Sequence, residues 1–177
     1  FHGRGGQGAV TAANLLVRAA LLEGKWGVSF PFFGAERRGA PVTAYARISD
    51  KPLKMHQQIY EPDIIIVLDP KIPQLVNVSD GLKDEGIAVI NSVTAPDNVK
   101  ASKVYIVDAT GIALNLGLVV AGWPVVNTSM LGALAKAVNI VSIDSIVKAI
   151  REWWKGKVGE MNAKAALKAY EEVRLVE

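Results

Sequence analysis

Cysteine is absent from the 177-residue sequence, and histidine occurs only at His2 and His56. The lack of cysteine excludes disulfide bonds, a thiol nucleophile and an iron–sulfur cluster ligated by cysteines of this chain. Two histidines that lie far apart in sequence argue against a zinc site. We therefore expect no metal centre within this chain.

Long hydrophobic runs and concentrated charge are also missing. No apolar segment reaches the roughly 18 residues that a membrane-spanning helix needs, and no signal peptide is recognisable, so we expect a cytoplasmic protein without membrane contact. The formal net charge is only +3, with the basic residues spread along the chain. Nucleic-acid-binding domains concentrate such residues on one face, so this function is not expected. Because the sequence starts with Phe1 rather than Met, we expect its N-terminus to be truncated.

The remaining composition is typical of a globular α/β protein. Half of the residues are hydrophobic, and the length suits one domain spanning residues 1–177. Continuous apolar runs predict buried strands at "DIIIVLD", "IAVINS" and "KVYIVDA", and helical periodicity predicts intervening helices. This alternation favours a doubly wound, mostly parallel sheet in a Rossmann-like three-layer domain.

Two of the predicted helices span residues 72–83 ("IPQLVNVSDGLK") and 110–122 ("TGIALNLGLVVAG"). A third spans 127–139, and Asn127 or Thr128 is the expected N-cap. The N-terminus of that helix could instead bind an anionic group, which makes both residues candidate ligand contacts. Asp69 and Asp108 follow buried strands, where α/β folds build their sites, although capping of the next helix is the simpler interpretation.

The segment "GRGGQG" satisfies the G-x-G-x-x-G spacing between a short strand and a helix. Glycines permit positive φ angles and close approach of the backbone to a phosphate, and the helix N-terminus supplies N–H donors with a partial positive charge. An arginine inside this loop adds a charge-assisted contact for an anion. The alternative is a tight strand-to-helix turn that binds nothing. The candidate phosphate-binding residues are Gly3, Arg4, Gly5, Gly6, Gln7 and Gly8.

A nicotinamide dinucleotide is a poor match for this loop. The dinucleotide fingerprint requires an acidic residue about 20 residues later, at the end of the second strand, to bind the ribose. That strand, "WGVSF", ends at Phe30 and Pro31, and Glu36 comes only later. A self-contained dinucleotide-dependent oxidoreductase therefore remains only an alternative.

A second motif, "SFPFFGAERRGAPVTAYARIS", places adjacent arginines in an apolar and aromatic stretch. Arg37 or Arg38 could bind a phosphate, with Glu36 orienting one of them, or could pair with a carboxylate of a partner subunit. A plain solvated loop is the third interpretation. The aromatic side chains around the arginines are typical of an interface core. These are Phe30, Phe32 and Phe33.

Together the two motifs resemble the γ subunit of the 2-oxoacid:ferredoxin oxidoreductases, and most of all the pyruvate-acting members. The segments "PDIIIVLDP", "GLKDEGIAVINS", "VDATGIAL", "NTSMLGALAKA" and "GKVGEMNAKAALKAYEEV" extend the resemblance over nearly the whole chain. It implies a subunit of a complex that converts pyruvate to acetyl-coenzyme A and reduces ferredoxin, with the chain alone inactive.

The resemblance also implies how the chemistry is divided. Thiamine diphosphate with Mg²⁺ and the [4Fe–4S] clusters would belong to α, β and δ-type partner subunits. The absence of cysteine and of a Gly-Asp-Gly thiamine motif agrees with this. The γ chain would contribute coenzyme A binding and assembly through the glycine loop, residues 36–38, Asn127 and Thr128. No catalytic residue is expected within it.

Several alternatives stay open. The substrate could be a branched-chain, aryl or longer 2-oxoacid such as 2-oxoglutarate, and one γ chain could serve two complexes. A purely structural assembly subunit with no ligand is a further alternative.

Overall fold

The computed structural model describes residues 1–32, 39–53 and 57–176. The described strands are β1 His2–Arg4, β2 Trp26–Phe32, β3 Pro41–Ser49, β4 Ile64–Val67, β5 Ile87–Asn91, β6 Lys103–Val107, β7 Val119–Val120, β8 Trp123–Pro124 and β9 Arg174–Leu175. The described helices are α1 Ala9–Leu22, α2 Ala109–Asn115, α3 Asn127–Val138, α4 Ile143–Trp153 and α5 Gly156–Glu172, with a 3₁₀ turn at Ile72–Gln74.

Seven of the described strands form one sheet in the order β2-β3-β1-β4-β5-β6-β9. The central strands β1, β4, β5 and β6 run parallel, whereas β3 and β9 pair antiparallel with their neighbours. The β-branched runs of β4 and β5 explain their central position, because parallel strands are buried on both faces. Ile65, Ile66, Val67, Val89 and Ile90 are at most 4% exposed. The predicted α/β class with a mostly parallel sheet is confirmed.

The two faces of the sheet are covered differently. Ile66, Val89 and Val107 point into a core built with the five described helices. The alternate side chains of the same strands pack against the 3₁₀ turn and the loops around it, through Ile72 and Val78 among others. The regular helices therefore gather on one face, where α3 lies at the centre and packs closely against α5.

The predicted helix over residues 72–83 is wrong beyond its first turn. Only Ile72–Gln74 is helical, as a 3₁₀ turn. Asn77 accepts the backbone N–H of Ser79 through its side-chain oxygen at 3.2 Å, and Gly81 has a φ of +71°. Such side-chain-to-backbone bonds and positive φ compete with helix formation.

The predicted helix over residues 110–122 is also too long. Helix α2 ends at Asn115, and Gly117 takes a φ of +68°. The chain then forms the β7–β8 hairpin, whose turn residues Ala121 and Gly122 have φ angles of 49° and 82°. Positive φ at both central positions gives the turn twist that two-residue hairpins require.

The capping prediction for α3 is wrong as well, because Val126 is the N-cap and Asn127 is already helical. Thr128 instead donates its hydroxyl to Asn162 Oδ1 on α5 at 3.0 Å, and both side chains are buried. The close approach of the two helices is possible because position 132 is glycine, where any Cβ would clash with the carbonyl oxygen of Ala166. The capping prediction for Asp108 is confirmed, since Oδ1 accepts the N–H of Gly111 at 2.7 Å.

Strand β2 is one edge of the sheet, and its end residues Trp26 and Phe32 are about half exposed. Pro31 lies opposite Ala44 of β3. Ala44 directs both of its backbone polar groups to Phe1, which precedes β1, at 2.8 and 3.0 Å. The backbone nitrogen and carbonyl oxygen of Pro31 therefore point away from β3.

Glu23 connects the end of α1 to the start of α4. Its carboxylate accepts the N–H of Ser142 at 2.7 Å and pairs with Lys25 at 3.2 Å. Burial acts to raise the pKa of Glu23, but hydrogen bonds from Ser142 and Ser145 and the bond from Lys25 outweigh it and lower the pKa to about 2.

We predict that Glu23→Gln lowers the free energy of unfolding by about 1 kcal/mol at pH 7, as expected for the loss of a partly exposed charge-assisted contact. Because the folded-state pKa lies below the usual 4.5, this contribution is complete above about pH 5 and disappears as the pH falls toward 2. Urea unfolding of both proteins at pH 7, 4 and 3 measures it. The exposed Glu85→Gln variant is the control, and a Glu23→Gln difference that stayed constant with pH would contradict the assignment.

Candidate functional site

The glycine loop, defined as residues 3–8, turns the chain from β1 into α1. The N–H of Gln7 donates to the carbonyl of Arg4 at 3.0 Å, and Gly6 and Gly8 have φ angles of 99° and 83°. Helix α1 begins without a side-chain cap. The first-turn N–H groups of α1 therefore point toward the loop, in the arrangement that favours an anion.

Asn127 packs directly on this loop. A Cβ built on Gly8 would lie 2.5 Å from Asn127 Nδ2, and Asn127 is only 2% exposed. Its side-chain oxygen accepts the N–H of Thr128 at 2.9 Å. The structure thus brings Asn127 together with the predicted glycine loop, whereas the Thr128 side chain is bonded to α5 and not to the loop.

The middle of the second motif, at Gly39 and Ala40, also lies on the glycine loop. Gly5 donates its N–H to Ala40 O at 2.9 Å, and Gly39 donates to Gly5 O at 3.2 Å. Within the same motif, the rings of Phe30 on β2 and Tyr45 on β3 lie 5.3 Å apart. Glu36, Arg37, Arg38, Phe33 and His56 lie outside the described residues, so their roles stay predictions.

Arg4 is held by groups that sequence reasoning did not pair with it. Its Nε donates to Asp69 Oδ2 at 3.1 Å, and its Nη1 donates to Gly39 O at 3.0 Å. Gln7 donates to the same Asp69 oxygen at 2.8 Å and accepts the backbone N–H of Arg4 at 2.7 Å. Asp69 Oδ1 also accepts the backbone N–H of Lys71 at 2.8 Å. Asp69 therefore stabilises the turn after β4 and also holds Arg4 and Gln7.

A crevice of about 300 Å³ opens beside this group. It lies at the carboxyl ends of β1, β4 and β5. From β1 the chain continues to β2 at one edge of the sheet, whereas from β4 it continues to β5 in the direction of the opposite edge. Such switch points are where open α/β sheets bind ligands. The crevice is lined by Arg4, Gln7, Asp69, Pro70, Lys71, Asn91, Thr110, Trp123, Pro124 and Val126.

Asn91 and Thr110 build the floor of the crevice, and the sequence analysis missed both. Asn91 donates to Leu68 O at 2.8 Å and to Thr110 Oγ1 at 2.9 Å, and it accepts Thr110 N–H at 3.2 Å. The sequence did contain one signal for Asn91, which is a polar residue at the end of a buried apolar run. Trp123 reaches the crevice from the β7–β8 hairpin and is 40% exposed, which no strand pattern indicated.

The described part of the chain contains no group of three metal-ligating side chains. Within the same residues, no helix combines the length and apolar character that crossing a bilayer requires.

The model of the family described as pyruvate ferredoxin/flavodoxin oxidoreductase matches residues 1–172. The chain belongs to this family. The γ subunit common to the pyruvate and ketoisovalerate oxidoreductases of Pyrococcus furiosus is 53% identical over all of this chain and 97% of its own length. The pyruvate synthase subunit PorC of Methanocaldococcus jannaschii is 56% identical, over 98% of this chain and 94% of its own length.

Solved structures agree. Pyruvate oxidoreductase subunit PORC of Thermotoga maritima has a TM-score of 0.84 and 35% identity, over 99% of this chain and 96% of that chain. The 2-oxoglutarate:ferredoxin oxidoreductase of Magnetococcus marinus shares the fold at a TM-score of 0.77, within 29% of a longer chain. The predicted assignment to the γ subunits of the oxoacid:ferredoxin oxidoreductases is confirmed, and the enzyme is the complex to which such a subunit belongs.

We predict that Gly8→Ala destabilises the chain by about 2–4 kcal/mol, because it combines positive-φ strain with a clash against Asn127. Gly6→Ala is the matched control. Gly6 also has positive φ, but a Cβ there meets nothing within 4 Å, so only the strain of about 1 kcal/mol applies. Urea unfolding of the two variants measures the difference, and equal losses would show that Asn127 does not confine the loop.

Proposed function

We propose that this γ subunit binds part of coenzyme A in the switch-point crevice and holds it for acyl transfer within a complex that oxidatively decarboxylates pyruvate and reduces ferredoxin. The observation that carries the proposal is the composition of the crevice. Arg4 and Gln7 of the glycine loop line it together with the cationic Lys71 and with Trp123 and Pro124.

This composition matches the chemistry of coenzyme A. Phosphates favour helix-terminal N–H groups and arginine or lysine side chains, and an adenine ring can stack on an indole. A volume of about 300 Å³ is small for the whole molecule. We therefore propose that the crevice takes the nucleotide end of coenzyme A, and that the thiol arm extends toward a partner subunit.

The redox chemistry in this proposal belongs to other chains. Thiamine diphosphate with Mg²⁺ and [4Fe–4S] clusters would be held by α, β and δ-type subunits, and ferredoxin would bind the complex. A chain without cysteine offers no thiolate to a cluster. The contribution of the γ subunit is then proximity, because it places the thiol carrier beside the acyl group. We propose a cytoplasmic complex in which residues 1–177 act as one γ domain.

We predict that Arg4→Ala and Lys71→Ala, in the reconstituted complex, each raise the KM for coenzyme A about tenfold and leave the KM for pyruvate unchanged. Loss of one charge-assisted phosphate contact has about this effect. Lys83→Ala is the control, since Lys83 pairs with Asp63 on the exposed surface. An unchanged KM for coenzyme A in both crevice variants would favour the purely structural assembly subunit.

The oxoacid is a separate question, and the P. furiosus relative bears on it. That protein is named as common to pyruvate and ketoisovalerate oxidoreductases. We propose that this chain is likewise shared between a pyruvate complex and a branched-chain oxoacid complex.

Anaerobic purification of the chain from its native host tests the sharing. We predict that it co-purifies with two different sets of partners, and that the mixture oxidises both pyruvate and ketoisovalerate in a coenzyme A-dependent reaction. A single set of partners active on pyruvate alone would contradict it.

A further inference from the structure

The candidate phosphate site contains a buried carboxylate, which needs an explanation. Asp69 is 7% exposed and lies at the end of β4, directly beside the glycine loop. A carboxylate repels a phosphate at short range. Asp69 by itself therefore disfavours anion binding, and its presence in the site requires another role.

The contacts of Asp69 show what that purpose is. Oδ2 accepts both Arg4 Nε and Gln7 Nε2, and Oδ1 accepts Lys71 N. Asp69 therefore fixes three points along the rim of the crevice. Gly39 O accepts Arg4 Nη1 at 3.0 Å, so Nη2 is the guanidinium nitrogen without a hydrogen bond inside the described ranges.

The same carboxylate sets the charge of the crevice. Among the described residues that line it, Arg4 and Lys71 are cationic and Asp69 is anionic, so these residues together carry one net positive charge. A small free anion then gains little there, and a ligand that also contacts Trp123 and Pro124 binds better.

We propose that Asp69 is a positioning residue and an internal counterion, which aims Arg4 at the ligand and suppresses binding of small competing anions. The inference rests on the proposed coenzyme A role of the crevice. It adds a residue that controls specificity and does not itself contact the ligand.

The test uses the reconstituted complex with Asp69→Asn and Asp69→Glu. The control is Asp63→Asn, because Asp63 immediately precedes β4 at its opposite end and its side chain forms an exposed pair with Lys83. One readout is the rate at which phenylglyoxal modifies Arg4 without coenzyme A, followed by mass spectrometry of the Arg4 peptide. The others are the KM for coenzyme A, kcat, and the inhibition constant of inorganic pyrophosphate against coenzyme A.

For Asp69→Asn we expect modification of Arg4 to become about fivefold faster and pyrophosphate to inhibit about fivefold more strongly, because one unit of positive charge is uncovered. The KM for coenzyme A should rise about fivefold with kcat nearly unchanged, because Arg4 and Gln7 are no longer held in their orientation by Asp69. Asp69→Glu keeps the charge but displaces it. It should raise the KM similarly and leave pyrophosphate inhibition as in the wild type, and it also serves if the asparagine variant does not assemble.

If Arg4 in Asp69→Asn were modified at the same rate as in Asp63→Asn, the inference would be overturned. A rise in both the KM for coenzyme A and the inhibition constant of pyrophosphate would also overturn it. Failure of the coenzyme A proposal has a different signature. In that case Arg4→Ala leaves the KM for coenzyme A unchanged, whereas the effect of Asp69 on Arg4 modification is still measured directly.

Discussion

The direction of the chain at β1 and β4 is the constraint on which the candidate site depends. The two strands are parallel neighbours, and the connections that follow them lead to opposite sides of the sheet. The loops after the two strands therefore separate and leave a crevice at the carboxyl edge. The glycine loop, Asp69 and Asn91 occupy that edge because each directly follows or ends a central strand. Helix α3 closes the back of the loop through Asn127, which the absent side chain of Gly8 permits.

Burial of polar groups at this edge explains why the arrangement is specific. Gln7, Asp69 and Asn91 are at most 8% exposed, and a buried polar group without a partner is costly. Each of the three makes hydrogen bonds that join different segments. A network satisfied in this way favours one conformation of the loop over others. The crevice is consequently preshaped, and a preshaped site has a lower ordering cost for binding.

The sequence was sufficient for the family, the fold class and the glycine loop, because these depend on local spacing and on strongly apolar strands. It was not sufficient for the partners of Arg4, since Asp69 lies 65 residues away and chain topology alone brings them together. The helices predicted over residues 72–83 and 110–122 failed where Asn77, Gly81 and Gly117 favour turns over apolar periodicity. Thr128 was expected at a helix cap, but packing against α5 determines its role. No pattern of periods 2 or 3.6 reveals such tertiary contacts.

Pro31 has a consequence for how sheets of neighbouring molecules can meet. Because Ala44 turns its backbone groups toward Phe1, the residue opposite it on β2 presents its backbone to the open side of the sheet. At that place proline offers a carbonyl but no N–H donor. A strand approaching from outside could complete the hydrogen-bond ladder only along the first part of β2. Open-ended stacking of one molecule onto the next, the route by which exposed strands form fibrous aggregates, is thereby interrupted.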